Sequence, residues 1–249
     1  MKKLIFALAA LLTAAIGLQA ENVFYKVGPF YKLSVRGDVD IVYRVNPDST
    51  GMARYDDADF TEEPFNLSIN KGKLNVRRPA DATGKRPVLY LWSDFLMEAT
   101  NEGVGEMSIN LGAAAPEFSA TLIGNGKIMV DNLDVTIANA AVKTGNGSIV
   151  LSGRTPEAYF AMIGAGVIQA DNLEADLVDC KVIGTGTIGC NPVESLTVHG
   201  IGTTKIYYKG NPTVKKSGGA KLFMMESEEP VEVENSEDSE ESDETVVDE

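Results

Sequence analysis

From residue 101 to 210 apolar and polar positions alternate, and the alternation is punctuated by Gly-x-Gly at a nearly fixed interval. The pairs are Gly103/Gly105, Gly124/Gly126, Gly145/Gly147, Gly164/Gly166, Gly184/Gly186 and Gly200/Gly202, with steps of 21, 21, 19, 20 and 16 residues between first glycines. One such pair means nothing in a chain with 24 glycines, but six in near-register define a repeat. Four residues after the first glycine stand Ile128, Ile149, Ile168 and Ile188. Two residues before it stand Leu122, Lys143, Met162, Val182 and Val198, and four before it Ala120, Ala141, Phe160, Cys180 and Leu196. These positions share one parity, so in extended chain they point to one side, which Val130, Leu151 and Ala170 continue past the glycines. The predicted unit is strand, glycine corner, strand. A sharp corner needs positive φ, which Gly adopts cheaply and Asn next best, and Asn125 and Asn146 lie inside two of the pairs. Asp131-Asn132-Leu133 and Asp171-Asn172-Leu173 read as the following turn. Lys143 breaks its column and is expected to snorkel or sit near an open edge.

Coils of about 20 residues, stacked so that equivalent strands pair in parallel about 4.8 Å apart, would align like residues in columns. The four isoleucines then form the spine of a parallel β-helix core, and burying each is worth roughly 1.5–3 kcal/mol. A leucine-rich repeat is excluded because the L-x-x-L-x-L spacing is absent. A Ca²⁺-binding nonapeptide roll is excluded by the longer period and by the residues after the second glycines: Glu106, Lys127, Ser148, Val167, Thr187 and Thr203.

The flanks are less periodic. Val39, Ile41 and Tyr43 alternate after Gly37-Asp38; Phe65, Leu67 and Ile69 alternate before Lys71-Gly72, and Leu74 and Val76 after it; Val88 to Trp92 is another β-rich run. A solenoid end exposes strand edges and core, so residues 21–100 are read as irregular first coils and an N-terminal cap. Residues 101–210 are the regular repeats, and 211–225 a C-terminal cap opening on Gly210-Asn211-Pro212.

These features resemble the head GIN domain of putative autotransporter adhesins, common in exported proteins of Bacteroidetes. The resemblance rests on the glycine corners, on Val35-Arg36-Gly37-Asp38-Val39-Asp40-Ile41 at the start, and on Gly200-Ile201-Gly202 and Ile206-Tyr207-Tyr208-Lys209-Gly210-Asn211-Pro212 at the end. It spans about residues 24–222. The family's corners typically read S-G-S-G-D, whereas Ile123, Thr144, Ile163, Ile183 and His199 precede the first glycines here and every corner lacks the Asp. The likeness implies an all-β, single-stranded right-handed parallel β-helix and an adhesin-like role, with no catalytic or ligand residues to carry over.

The termini add a compartment and a charge. Lys2 and Lys3, an apolar run from Leu4 to Leu18 and Ala20 read as an export signal over residues 1–20, with an uncleaved anchor as the alternative. No later run is apolar and long enough to span a membrane as a helix. The expected location is the periplasm, cell surface or exterior. Net charge is −14, but thirteen acids and no Lys or Arg fall in residues 226–249, which read as a disordered acidic tail. Residues 21–225 hold 20 basic and 23 acidic side chains, giving no basic excess for nucleic acid.

Little here points to chemistry. His199 is the sole histidine, with no orienting partner in the sequence for a triad. Asp131, Asp134, Asp171, Glu174, Asp176 and Asp179 fall at turns or at outward parity. Asp56-Asp57-Ala58-Asp59 lacks the full loop of a Ca²⁺ site. Tyr90, Trp92 and Phe95 read either as core or as an aromatic platform for a glycan. Cys180 and Cys190 leave two alternatives open, a disulfide or two buried thiols. No metal or other cofactor is expected. The leading functional reading is a non-enzymatic, adhesin-like binding module for a glycan or protein partner. A carbohydrate-active β-helix enzyme and a self-associating envelope protein, a homo-oligomer, are the alternatives.

Overall fold

Every repeat strand finds its equivalent one coil away, and that pairing builds the molecule. The computed structural model describes residues 22–56, 60 and 62–225, which form a parallel β-solenoid of about six turns. The expected export signal, the acidic segment 226–249 and the Asp57 and Asp59 positions lie outside the described residues.

One face stacks β5 (Asn66–Asn70), β6 (Lys73–Arg77), β2 (Lys32–Gly37), β8 (Glu98–Gly103) and β10 (Ala115–Ile123). It continues through the later halves of the long strands β11 (Lys127–Thr144), β12 (Ser148–Gly164), β13 (Val167–Gly184) and β14 (Thr187–Gly202), and ends at β16 (Thr213–Gly218). The other face stacks β1 (Asn22–Lys26), β4 (Met52–Asp56), β7 (Val88–Ser93), β3 (Asp40–Val45), β9 (Glu106–Asn110), the first halves of β11 to β14, β15 (Lys205–Tyr208) and β17 (Lys221–Met224).

The isoleucine column is longer than the repeat alone reveals. Register pairs Leu89, Ile41, Met107, Ile128, Ile149, Ile168, Ile188, Ile206 and Leu222 in succession. Leu89 through Ile206 are all buried. Beside it runs a second column, Ala99, Ala120, Ala140, Phe160, Cys180 and Val198.

The two glycines of a corner serve different ends. Gly124, Gly145, Gly164 and Gly184 have φ of 131°, 87°, 141° and 145°, which bulkier residues avoid. The second glycines do not. Instead, a Cβ on Gly126, Gly166 or Gly186 would lie 2.5 Å from the carbonyl oxygen of the corresponding glycine one coil below. There the backbones approach too closely for any side chain. Hydrogen bonds such as Ser148 N to Gly126 O (3.1 Å) and Thr187 N to Gly166 O (3.1 Å) hold that approach.

The first corner, Gly103/Gly105, departs from the expected positive-φ turn and is a correction. Neither Gly103 nor Gly105 takes positive φ. The buried Asn101 side chain holds this bend instead, accepting from Gly103 N at 3.1 Å and donating to Gly105 O at 2.8 Å. Gly105 also stacks on no glycine; a Cβ there would strike the carbonyl oxygen of Val39. Close approach to the coil below, not backbone handedness, is therefore what requires glycine at Gly105.

Three expectations about register also need correction. First, Gly184 aligns with Gly202 rather than Gly200, so the last step is 18 residues and Gly200 lies opposite Val182. His199 accordingly precedes no corner; it is exposed on a strand opposite Lys181. Thr204 takes the place of a second corner glycine, buried, with its hydroxyl donating to Gly184 O at 3.0 Å. Second, Leu122 pairs with Val142, not Lys143, because a register shift after Leu122 inserts one residue. That bulge expels Lys143 to the surface and leaves Val142 and Ala140, rather than Ala141, in the core columns. Third, the same two-residue slip at the last step puts Val198, not Leu196, opposite Cys180.

The N-terminal region is not a simple run of first coils. β2 lies between β6 and β8, and β3 between β7 and β9, so the coil at 73–93 sits outside the earlier coil at 32–45. Lys71 (φ 49°) and Gly72 (φ 72°) make the hairpin that lays β5 antiparallel on β6. β4 adds antiparallel to β7, and β1 adds antiparallel to β4. β5 is exposed at Asn66, Ser68, Ile69 and Asn70. Arg78, buried under the Gly37 corner, donates to Asp38 O at 3.0 Å and Thr83 O at 3.2 Å.

Gly147→Ala should destabilise the fold by about 2–3 kcal/mol in denaturant titration, because its Cβ would collide with the Gly126 carbonyl. Gly189→Ala, on an outward position with its nearest neighbour 3.5 Å away, should stay within about 0.5 kcal/mol. Glu98 sits between Lys73 (2.9 Å) and Lys32 (3.0 Å). Burial pulls its carboxyl upward, but the two ammonium hydrogen bonds outweigh burial and hold the pKa below the ordinary value. A lowered folded pKa stabilises above the unfolded value and is lost as pH falls through the folded one. Glu98→Gln should therefore narrow the stability gap between neutral pH and about pH 3, measured by thermal melts at each pH.

Candidate functional site

Outward positions on the second face line up as strictly as the core does. One row reads Phe24, Arg54, Tyr90, Val42, Ser108, Met129, Val150, Gln169, Gly189, Tyr207 and Phe223 across successive strands. The adjoining row begins Lys26, Met52, Trp92 and Arg44. Antiparallel β1 and β4 extend this face beyond the coils and bring Phe24, Arg54 and Met52 beside Tyr90 and Trp92.

The Tyr90 and Trp92 rings are stacked, centroids 6.5 Å apart and planes 18° apart. The Arg54 guanidinium sits 4.3 Å from the Tyr90 ring centre, a cation–π contact. Phe24 is 61% exposed, and Tyr90 and Trp92 are half-buried, so these rings form an outer shelf rather than core. At the far end of the same row Tyr207 stacks on Phe223 at 5.1 Å and 21°. Seven strand steps, about 34 Å, separate Tyr90 from Tyr207. The floor between them is apolar at Val42, Met129 and Val150 and small or polar at Ser108, Gln169 and Gly189. Phe95 does not join the shelf; it stacks on Tyr31 at 6.0 Å. The core alternative for Tyr90 and Trp92 fails because Leu89, Leu91 and Ser93 take the inward places on β7.

The other expected residues are scattered. Asp134, Arg154 and Glu174 alternate in sign up one turn column, with Arg154 3.7 Å from Asp134. Asp131 accepts from the Ser152 hydroxyl at 2.8 Å, and Asp171 pairs with Lys209 at 3.7 Å. His199 Nδ1 lies 2.7 Å from Ser217 Oγ, both exposed, with no carboxylate bonded to the ring among the described residues. Among the described residues no three His, Cys, Asp or Glu side chains converge as metal ligands. Cys180 and Cys190 are both free and buried. A hydrogen bond to Cys190, then burial, push the Cys180 thiol well above the usual value.

One feature went unread in the sequence. Ile163, Ile183 and Ile201 stack in register on the corner ridge and are 49%, 54% and 73% exposed. The outward parity of residues immediately before corner glycines was the available signal.

These features define a β-solenoid whose outer sheet carries an aromatic and cationic shelf. Residues 29–212 match the family described as "Putative auto-transporter adhesin, head GIN domain", and the chain belongs to that family. No curated protein matches it. A crystal structure of a "putative adhesin" from Bacteroides fragilis superposes with TM-score 0.69 at 21% identity, covering 82% of this chain and 96% of that one. A "putative lipid binding protein" from Parabacteroides distasonis gives 0.62 at 17%, covering 82% and 95%. A "putative adhesin" from Parabacteroides merdae gives 0.56 at 20%, covering 82% and 94%. No helix among the described residues is long and apolar enough to cross a membrane.

With Ellman's reagent neither thiol should react in the native protein, and both should react on unfolding without reductant. Failure to react after unfolding would show that the sulfurs are bonded.

Proposed function

We propose that this chain is an exported, adhesin-like binding module that holds a glycan on the Tyr90–Trp92 shelf. The observation that carries the reading is the pair of near-parallel rings on an outward row, bordered by Arg54, Arg44 and Lys26. Flat ring faces pack against the apolar faces of sugars, while guanidinium and ammonium groups donate to hydroxyls and carboxylates. A row that runs about 34 Å across stacked strands suits an extended chain better than a compact ligand. The family's description supports the adhesin-like role. The N-terminal sequence supports export.

Trp92 is the sole tryptophan, so its fluorescence reports directly on the shelf. Glycans selected on an array should shift that emission. Tyr90→Ala should weaken their binding at least about tenfold, roughly 1.4 kcal/mol, while Phe95→Ala leaves it unchanged. Array binding indifferent to Tyr90 and Trp92 would sink the site, and turnover of a bound polysaccharide would replace the binding reading with an enzymatic one.

The isoleucine ridge favours a second reading, self-association along that corner. Sedimentation of the wild type and of Ile183→Glu separates the two. An oligomer dispersed by the substitution supports self-association, and a monomer at high concentration rejects it.

A further inference from the structure

We propose that the lysine-rich open end of the solenoid is the docking surface for this chain's own acidic segment, residues 226–249. The last coil ends in strands β16 and β17, which have no strand partner on their outer edges among the described residues. Lys205 and Lys221 stand directly opposite each other on β15 and β17. Like charges in that relation repel, and an anion over the pair would relieve the repulsion. Lys215 and Lys216 lie exposed on β16. Lys216 is the more telling of the two. It pairs with Val198, and so the buried column of Phe160, Cys180 and Val198 ends at an exposed lysine. Among the described residues none of these four lysines has a carboxylate partner, whereas Lys209 in the same coil has Asp171 at 3.7 Å.

The segment that follows begins at this surface. Met225 N donates to Tyr208 O at 2.8 Å, which fixes the point of departure beside β15 and β17. The next 24 residues carry thirteen acids and no Lys or Arg. Six residues reach about 20 Å, enough to bring acids onto Lys205 and Lys221, and more onto β16. The tether keeps the acids at millimolar-range effective concentration. No single pair is strong at a surface, so the docking is a sum of many pairs and is sensitive to salt. A negative cover over terminal edges also opposes addition of another copy there. The inference does not depend on the glycan reading.

Zero-length carbodiimide cross-linking of the full chain, read by mass spectrometry, tests it. At about 20 mM salt, Lys205, Lys215, Lys216 or Lys221 should join acids of 226–249 within monomeric protein, and the yield should fall at least ~fivefold in 0.5 M salt. Replacing all four lysines with Gln should remove those links while circular dichroism stays that of the folded chain. Links found only in cross-linked dimers would assign the surface to a second copy and overturn the proposal. So would lysines joined only to acids within residues 22–225, no links to the segment at low salt, or a yield indifferent to salt.

Discussion

The close approach of backbones at the second corner glycine is the constraint on which everything else depends. With no side chain at Gly105, Gly126, Gly147, Gly166 and Gly186, successive corners sit directly over one another. Interstrand hydrogen bonds then continue around the bend, so each coil takes its register from the one below. Register in turn fixes which side chains stack. The isoleucine spine inside and the Phe24-to-Phe223 row outside are two readings of the same alignment, because strand neighbours alternate between core and solvent.

A stack of parallel coils has two ends, and this chain closes them by different physics. At the N-terminal end the chain passes outward, lays antiparallel β5, β4 and β1 over the last parallel strands, and places a later coil outside an earlier one. Changing strand direction breaks the repeating template. At the C-terminal end the strands remain parallel; the isoleucine column ends at the partly buried Leu222, while two neighbouring columns run out into Gly218 and Lys216. The antiparallel closure has a functional consequence as well, since it is what brings Phe24, Arg54 and Met52 alongside Tyr90 and Trp92.

Much of this was legible in the sequence, and the misses have specific causes. Positions of shared parity around each Gly-x-Gly predicted the coil and the Ile128, Ile149, Ile168 and Ile188 column, because a period-2 pattern carries burial directly. Counting from glycines failed where the chain inserts or omits a residue. The bulge near Lys143 hid Val142, and a Gly200 that belongs to a strand masqueraded as a corner. At Gly103/Gly105 the spacing was right but the cause was not, because a buried Asn101 does there what positive φ does at the later corners. The inverted order of the N-terminal coils left no local trace, since pairing β2 with both β6 and β8 is a long-range choice. The shelf was visible as Tyr90 and Trp92, but whether alternate residues face in or out depends on which neighbours cover β7. Arg54 and Phe24 join it only through antiparallel pairings that their own sequence does not announce.

The stacked spine is most directly tested by a double-mutant cycle between Ile149 and Ile168, each shortened to Val, with unfolding free energies from denaturant titration. Adjacent coils predict a coupling of about 0.5 kcal/mol or more between them, because each methyl packs against the other's space. Strict additivity would mean that the two side chains do not share a cavity, and would contradict the alignment of coils on which the fold and its outer face rest.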